Sequence, residues 1–566
     1  MTRRSPGMLS SQSSLLSLRQ QQTTATTPQA QPPTTAMPAT ASPTVEAPKS
    51  DSRSRNFVLA DMDGRNPRDN RACTSCIGRL TPSEVGQVNW HLTEDHPCRL
   101  CQIAECKPEA FTKPFTDFLE ENPTIFHTVD HFKKKLSHVD FTELPARESW
   151  IDKLQPGGKY FVTRNGSSLI AFTVGKAYKP GNGVGMIAGH IDALTAKLKP
   201  VSKKPNKAGY VQLGVAPYAG ALNETWWDRD LSIGGRVVVR DEETNKTSTK
   251  LVRLGWPIAK VPTLAPHFGV GIMGKNNAET QAVPIIGLEG ANDSAEALGD
   301  SGSFVRTQPP RLVKLIAKEL GIKSYNSIVN WELELFDSQP AQTLGLDKEF
   351  ITAGRIDDKL CSWAALMALL SSPDKDDDGY IKLVALFDDE EIGSLLRQGA
   401  RGNFLPSTIE RIVEGLNPSS YGPGLVGQTY AKSFLTSADV THAGNPNFLA
   451  NYLDDHVPQL NVGIVLSADS NGHMTTDAVS SAIMHRAAEL SGSQTQVFQI
   501  RNDSRSGGTV GPMLSSAMGV RAADVGIPQL SMHSVRATTG SLDPGLGVKF
   551  FRGFLDNWEK IDGEWA

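Results

Sequence analysis

The segment Ile381 to Ser394, IKLVALFDDEEIGS, sets four acids in a row, Asp388, Asp389, Glu390 and Glu391, directly after a short apolar run from Leu383 to Phe387. Four adjacent carboxylates repel one another unless cations or basic groups neutralise them. The apolar run has the length and composition of a buried strand, and open α/β sheets place their sites in loops at the carboxyl ends of parallel strands. The competing reading is an acidic first turn of a helix, where the helix dipole favours negative charge. The same design, a strand running into a metal-ligand residue type, recurs four more times. Val184 to Ile187 leads into Gly189-His190-Ile191-Asp192, where the imidazole can ligate a metal and the Asp two residues on can orient its ring, although a satisfied turn histidine has the same spelling. TAGRIDDK, Thr352 to Lys359, puts Asp357 and Asp358 at the entry to a helix, where either could serve as the N-cap. A strand from Lys432 to Thr436 precedes Asp439 and His442, and Pro528 to Met532 leads to His533.

Two histidines and several carboxylates suit two borderline divalent ions such as zinc. One carboxylate can bridge the ions, and one acid is left over for proton transfer. The count fits a two-metal hydrolase. It does not by itself select peptides over phosphate esters, but no Arg or Lys cluster in these motifs offers a phosphate clamp.

These residues need a scaffold, and the 566-residue chain is long enough for two or three domains. Its composition, 39% apolar and 21% charged, is that of a globular protein, and a net charge of -4 offers no field for nucleic acid or an anionic membrane. No apolar run has the length of a membrane span, so an integral membrane protein is not expected. Residues 1–56, rich in Ser, Thr, Gln and Pro with no acid before Glu46, read as a disordered segment. Within it, Met8, Leu9, Leu15 and Leu16 recur at helical spacing, as in an import presequence or a helix that binds a partner or a membrane surface, with plain disorder as the third reading. Residues 57–108 form a Cys-rich module: Cys73-x-x-Cys76 and Cys98-x-x-Cys101 can supply four thiolates to one structural zinc. Only Cys361 lies beyond Cys106, so the body folds without disulfides, as in the cytosol. Ala110 to Leu136 is helical in pattern, and Lys159 to Val174 reads as a hairpin around Asn165-Gly166. Residues 198–345 are strand-rich and punctuated by glycine, with Arg311 to Leu320 as one of few helices. They read as an inserted β-rich domain between two parts of a catalytic domain, 109–197 and 346–566. Trp226-Trp227-Asp228-Arg229-Asp230 is a knot within that insert, with core packing the commoner role for its Trp pair.

GHID, GRIDDKL, DDEEIGS, SADVTHAGNPNF, RNDSRSGGTVGP and PQLSMHSVRATTG, in that order and with TWWDRDLSIGGRV in the insert, resemble the aspartyl aminopeptidase family of di-zinc exopeptidases. The resemblance runs from about Glu109 to the C-terminus. GRIDDKLCSW and HSVRATTG look closest to the fungal vacuolar aminopeptidase I branch. It implies an α/β fold, a helix-flanked mixed sheet of zinc exopeptidase type with an inserted β-rich dimerisation domain, and dodecamers assembled from dimers. It implies two zinc ions per active site: His190 and Asp439 on one, Glu391 and His533 on the other, Asp357 bridging. Glu390 would be the general base, Asp192 would hold His190, and His442 would help stabilise the oxyanion. A cis peptide is expected at Asp357–Asp358. The family often carries a second histidine where this chain has Asn445.

The function so implied is removal of N-terminal residues from peptides in the vacuole, after cytosolic folding, or in the cytoplasm. Delivery would use an autophagy cargo receptor that binds the N-terminus. Acid-specific members place a lysine in the strand before the helix near Asp477, and the alignment puts Leu466 there. An aliphatic group cannot offset the desolvation of a buried carboxylate, so neutral or hydrophobic residues such as leucine are expected over Asp or Glu. The alternatives are an aminopeptidase specific for N-terminal Asp or Glu, and a catalytically dead autophagy cargo or scaffold.

Overall fold

The computed structural model describes residues 108–268, 276–290 and 298–565. The N-terminal helix expected around Leu15 and Leu16, and the Cys73, Cys76, Cys98, Cys101 module, lie outside the described residues. A nine-stranded mixed sheet forms the centre. Its four middle strands, in the order Ile381–Phe387, Val184–His190, Phe434–Ala438 and Arg521–Gly526, run parallel. Side chains alternate across the pleat. Val384 and Leu386 therefore join one core, while Leu383, Ala385 and Phe387 join the other. The first core is closed by the helices Thr112–Glu121, Ile125–His138, Ile356–Ser371, Ala478–Ser491 and Asp543–Gly563, the second by Phe404–Leu416, Pro423–Ala431 and Val510–Met518. Helices on both faces explain why these strands read as unbroken apolar runs.

The helical stretch expected from Ala110 to Leu136 is two helices. Pro123, which has no N–H to donate, separates them, and Thr124 caps the second by accepting from His127 N at 3.5 Å. The hairpin is present: Lys159–Arg164 and Ser168–Val174 pair antiparallel, with Asn165 and Gly166 both left-handed at φ 57° and 66°.

A second sheet has six antiparallel strands drawn from the chain between Thr195 and Asp337, in the order Thr247–Arg253, Leu231–Arg240, Ile328–Asp337, Thr195–Lys203, Tyr210–Tyr218 and Ile285–Leu288. It has its own core, which buries Trp226 and Trp227 together with the apolar face of the helix Pro310–Glu319. A third, five-stranded sheet has no counterpart in the sequence reading. It orders Gln342–Leu344, Phe350–Ala353, Ala537–Gly540, Pro528–Leu530 and Thr441–His442. Its strands are two to four residues long, too short to show a periodicity. Yet it draws together the approaches to Asp357, His442 and His533.

Candidate active site

At the carboxyl edge of the parallel strands the expected residues meet. His190 ends its own strand, pairing in register with Phe387, and Asp439 directly follows Ala438. Glycine before His190 is a packing requirement: a Cβ at Gly189 would lie 2.8 Å from the Ala438 carbonyl and 3.1 Å from Asp358 Oδ2. After Phe387 the chain turns through Asp389 in the left-handed region and a short turn of 3₁₀ helix, Glu390–Ile392, which aims two adjacent glutamates inward. At the entry to the helix Ile356–Ser371, Asp357 and Asp358 have non-helical backbone angles and are joined by a cis peptide bond. Asp358 performs the capping task, its Oδ1 accepting from Cys361 N at 3.2 Å. Asp357 is thereby free to face the cluster.

The distances define the cluster. His190 Nε2 lies 3.2 Å from Asp357 Oδ1, 3.5 Å from Asp439 Oδ1 and 3.8 Å from Glu390 Oε2. His533 Nε2 lies 3.6 Å from Asp357 Oδ2 and 3.6 Å from Glu391 Oε2. Asp357 therefore turns one oxygen to each imidazole. Candidate ligand atoms of His190, Asp357 and Glu391 fall within 4.8 Å of one another, as do those of His190, Glu390 and Asp439. Asp192, 4% exposed, accepts with Oδ1 from His190 Nδ1 at 3.2 Å and from the Glu390 amide at 3.2 Å. Its Oδ2 accepts from the Glu391 amide at 3.2 Å. His442 pairs with Gln529 in the small sheet, and burial holds its imidazole below the ordinary value. A pocket adjoins the cluster, lined among others by Asp357, Glu391, His533, Lys359 and Trp226.

The electrostatics show what the cluster needs. Burial, reinforced by Asp439, Asp192 and Asp357 and opposed by His190, pushes the Glu390 carboxyl up to about 8. Burial and Asp357 hold Glu391 well above the usual carboxylate range. Burial raises Asp439 too, against His190. For His190 burial works towards a neutral ring, but Asp439, Asp192 and Asp357 outweigh it and hold the imidazole well above its ordinary value. Among the described residues Glu391 Oε1, Asp358 Oδ2 and Asp389 Oδ2 are buried without a hydrogen-bond partner. Crowded, desolvated oxygen and imidazole donors of this kind fit divalent cations, which favour the charged form of every carboxylate at once.

A model of the family described as Aminopeptidase I zinc metalloprotease (M18) matches residues 118–555. The chain belongs to this family. Vacuolar aminopeptidase 1 of Saccharomyces cerevisiae is 42% identical over 473 residues, 82% of this chain and 91% of that protein. Aspartyl aminopeptidase 4 of the same organism is 38% identical over 478 residues, 81% and 97% of the two chains. Among solved structures, Chaetomium thermophilum mApe1 is 64% identical, with a TM-score of 0.77 over 81% of this chain and 100% of that one. The S. cerevisiae mApe1 dodecamer is 39% identical, with a TM-score of 0.72 over 81% and 99%. The mixed α/β architecture is that of the family.

One expected residue is not brought to the site. Leu466, 3% exposed, lies in the strand Ile464–Ala468 and belongs to the core packed by Ile483 and Met484. Strand alternation turns its neighbour Ser467 to the opposite face. Two contacts escaped the sequence reading. The Tyr218 hydroxyl donates to Asp192 Oδ2 at 2.7 Å, and the Ser362 hydroxyl donates to the His190 carbonyl at 2.5 Å. Ser362 stands inside the quoted GRIDDKLCSW motif, one helical turn past Asp358, and that spacing was its signal. Tyr218 ends a strand of the six-stranded sheet and has no such signal.

Proposed function

We propose that the cluster holds two zinc ions and that the chain removes single N-terminal residues from peptides. Asp357 carries this reading: its two oxygens face two different imidazoles, 3.2 and 3.6 Å away, as a bridging ligand requires. His190 and Asp439 would complete one site, Glu391 and His533 the other. Bound there, zinc supplies Lewis-acid activation of a water and of the scissile carbonyl. Asp192 accepts the Nδ1 proton of His190, which leaves Nε2 to face Asp357 and Asp439. Glu390 is the carboxylate left for proton transfer. It takes the proton of the attacking water and passes it to the leaving amine. His442 donates to the oxyanion that develops on the carbonyl. A dead cargo or scaffold would have no use for so crowded a cluster, whose mutual repulsion destabilises the fold unless cations are bound.

The same reading extends to specificity, assembly and location. A preference for neutral residues such as leucine over Asp or Glu stays part of the proposal, although Leu466 is buried in the core and does not itself bear on it. Leu466 acts there as core, not as the group that touches the substrate. The six-stranded sheet is read as the dimerisation domain and the assembly as a dodecamer, by likeness to the mApe1 dodecamer. The relative named vacuolar aminopeptidase 1 supports residence in the vacuole, with the cytoplasm as the alternative; delivery by a receptor that binds the N-terminus is part of the same proposal. The four N-terminal cysteines are read as a third, structural zinc site.

Glu390→Gln should lower turnover by about 10²- to 10⁴-fold with both active-site zinc ions retained, whereas Asp357→Ala should lose metal as well. Metal analysis beside aminoacyl-chromophore hydrolysis checks both, and near-normal turnover by Glu390→Gln would remove its role as base. Deleting residues 1–106 should reduce zinc by one per chain without loss of peptidase activity, and an unchanged count counts against the cysteine site. With leucyl and aspartyl substrates competing at equal concentration, leucyl turnover should be the faster; the reverse order assigns the chain to the acid-specific enzymes. Leu15→Glu with Leu16→Glu should leave the protein in the cytosol by microscopy, and its arrival in the vacuole would show that this face is not the signal.

A further inference from the structure

Both imidazoles of the cluster are braced by one short stretch of the chain, Tyr218 to Arg229, where it leaves the six-stranded sheet and returns to it. At the start of the stretch, the Tyr218 hydroxyl donates to Asp192 Oδ2 at 2.7 Å and reaches Asp389 Oδ1 at 3.3 Å. The other oxygen of Asp192 meets His190 Nδ1. Tyr218 is 7% exposed, and Lys197 Nζ lies 3.8 Å from its ring centroid, so the phenol has little freedom to turn away.

Five residues on, the stretch grips the other imidazole residue. Asn223 Nδ2 donates to the His533 carbonyl at 3.0 Å, and Thr225 Oγ1 accepts from Val535 N at 2.9 Å. Asn223 Oδ1 is engaged by the Thr225 amide at 3.0 Å and its hydroxyl at 2.6 Å, which fixes the amide with its nitrogen towards His533. At the end of the stretch, Arg229 Nη2 lies 3.0 Å from Asp337 Oδ1 while Arg536 Nη1 lies 2.8 Å from Asp337 Oδ2. Buried Asp337 thus ties the stretch to the residue three places past His533. The His533 side chain is 55% exposed and its backbone left-handed at φ 61°. Packing gives this imidazole little support, so hydrogen bonds to its backbone must aim it.

The plain alternative is that these bonds merely join two sheets. Their end points favour more than that: one chain of bonds ends on the carboxylate that orients His190, the other on His533 itself. We propose that Tyr218, Asn223 and Thr225 are positioning residues for the metal site, so that the inserted sheet governs zinc retention and turnover through His190 and His533. The proposal rests on the two-zinc reading.

The test uses the zinc-loaded full-length chain, with zinc release to excess chromogenic chelator followed in time. Tyr218→Phe removes only the hydroxyl, Thr225→Val removes the acceptor, and Thr225→Ser restores it. Ser338→Ala is the control, since its hydroxyl bonds the Asp230 carbonyl and reaches neither imidazole. Tyr218→Phe and Thr225→Val should release zinc about 10- to 100-fold faster and lower kcat with KM nearly kept. The thermal midpoint of the zinc-stripped protein should not move, and Thr225→Ser and Ser338→Ala should behave as wild type. Unchanged release in both variants overturns the proposal. So does a fall in the zinc-stripped midpoint that accounts for the faster release, or failure of both variants to fold. A wild-type chain that holds no zinc would instead defeat the two-zinc reading itself.

Discussion

The constraint on which this structure turns is the crowding of buried carboxylates around two imidazoles at one edge of a sheet. Like charges 4 Å apart repel by about 4 kcal/mol at an effective dielectric near 20. Here Asp357 and Glu391 on one side, and Glu390 and Asp439 on the other, crowd half-buried around His190. Each additional ionised group makes the next more costly, which is why burial and mutual repulsion raise Glu390, Glu391 and Asp439 together. A fold tolerates such a group of acids when its charge is answered by cations, and the donor set suits divalent ions such as zinc. The peptidase chemistry and the architecture are thus two views of one electrostatic problem.

Much of the surrounding structure serves to hold those oxygens at fixed separations. The parallel strands deliver His190, the Glu390–Glu391 turn and Asp439 to the same edge because their register aligns their ends. Gly189 permits strand and helix to close without displacing His190. Asp358 satisfies the helix entry and so leaves Asp357 unclaimed. The small third sheet brings in His442 and the approach to His533 from distant parts of the chain. Each device is inexpensive alone. Together they fix a geometry that no single loop could hold against the repulsion.

The relation between the two larger sheets follows from this. A β-rich insert in a hydrolase can be read as an attachment for assembly, but here its chain supplies a buried phenol to Asp192 and an amide to the His533 carbonyl. The Trp pair packs the insert core, as the commoner role of such pairs suggests, while Asp337 links Arg229 of the same motif to Arg536. The motif therefore combines packing with a brace on the catalytic edge.

The sequence by itself picked out the residues of the candidate site: His190, Asp192, Asp357, Glu390, Glu391, Asp439, His442 and His533 could be named from residue type, strand-end position and the motifs that resemble the family. It also determined the α/β class, the β-rich character of the insert and the hairpin at Asn165-Gly166. These are local properties, set by a residue and its immediate neighbours. Tertiary structure alone decided which of Asp357 and Asp358 caps the helix, that Leu466 faces the core, that helix 110–136 breaks at Pro123 into two packed pieces, and that Tyr218 and Asn223 brace the two imidazoles. Tyr218 meets Asp192 across 26 residues of sequence and Asn223 meets His533 across 310. Such pairings leave no periodicity or spacing to read, because they come from the way two sheets pack and not from the conformation of either segment.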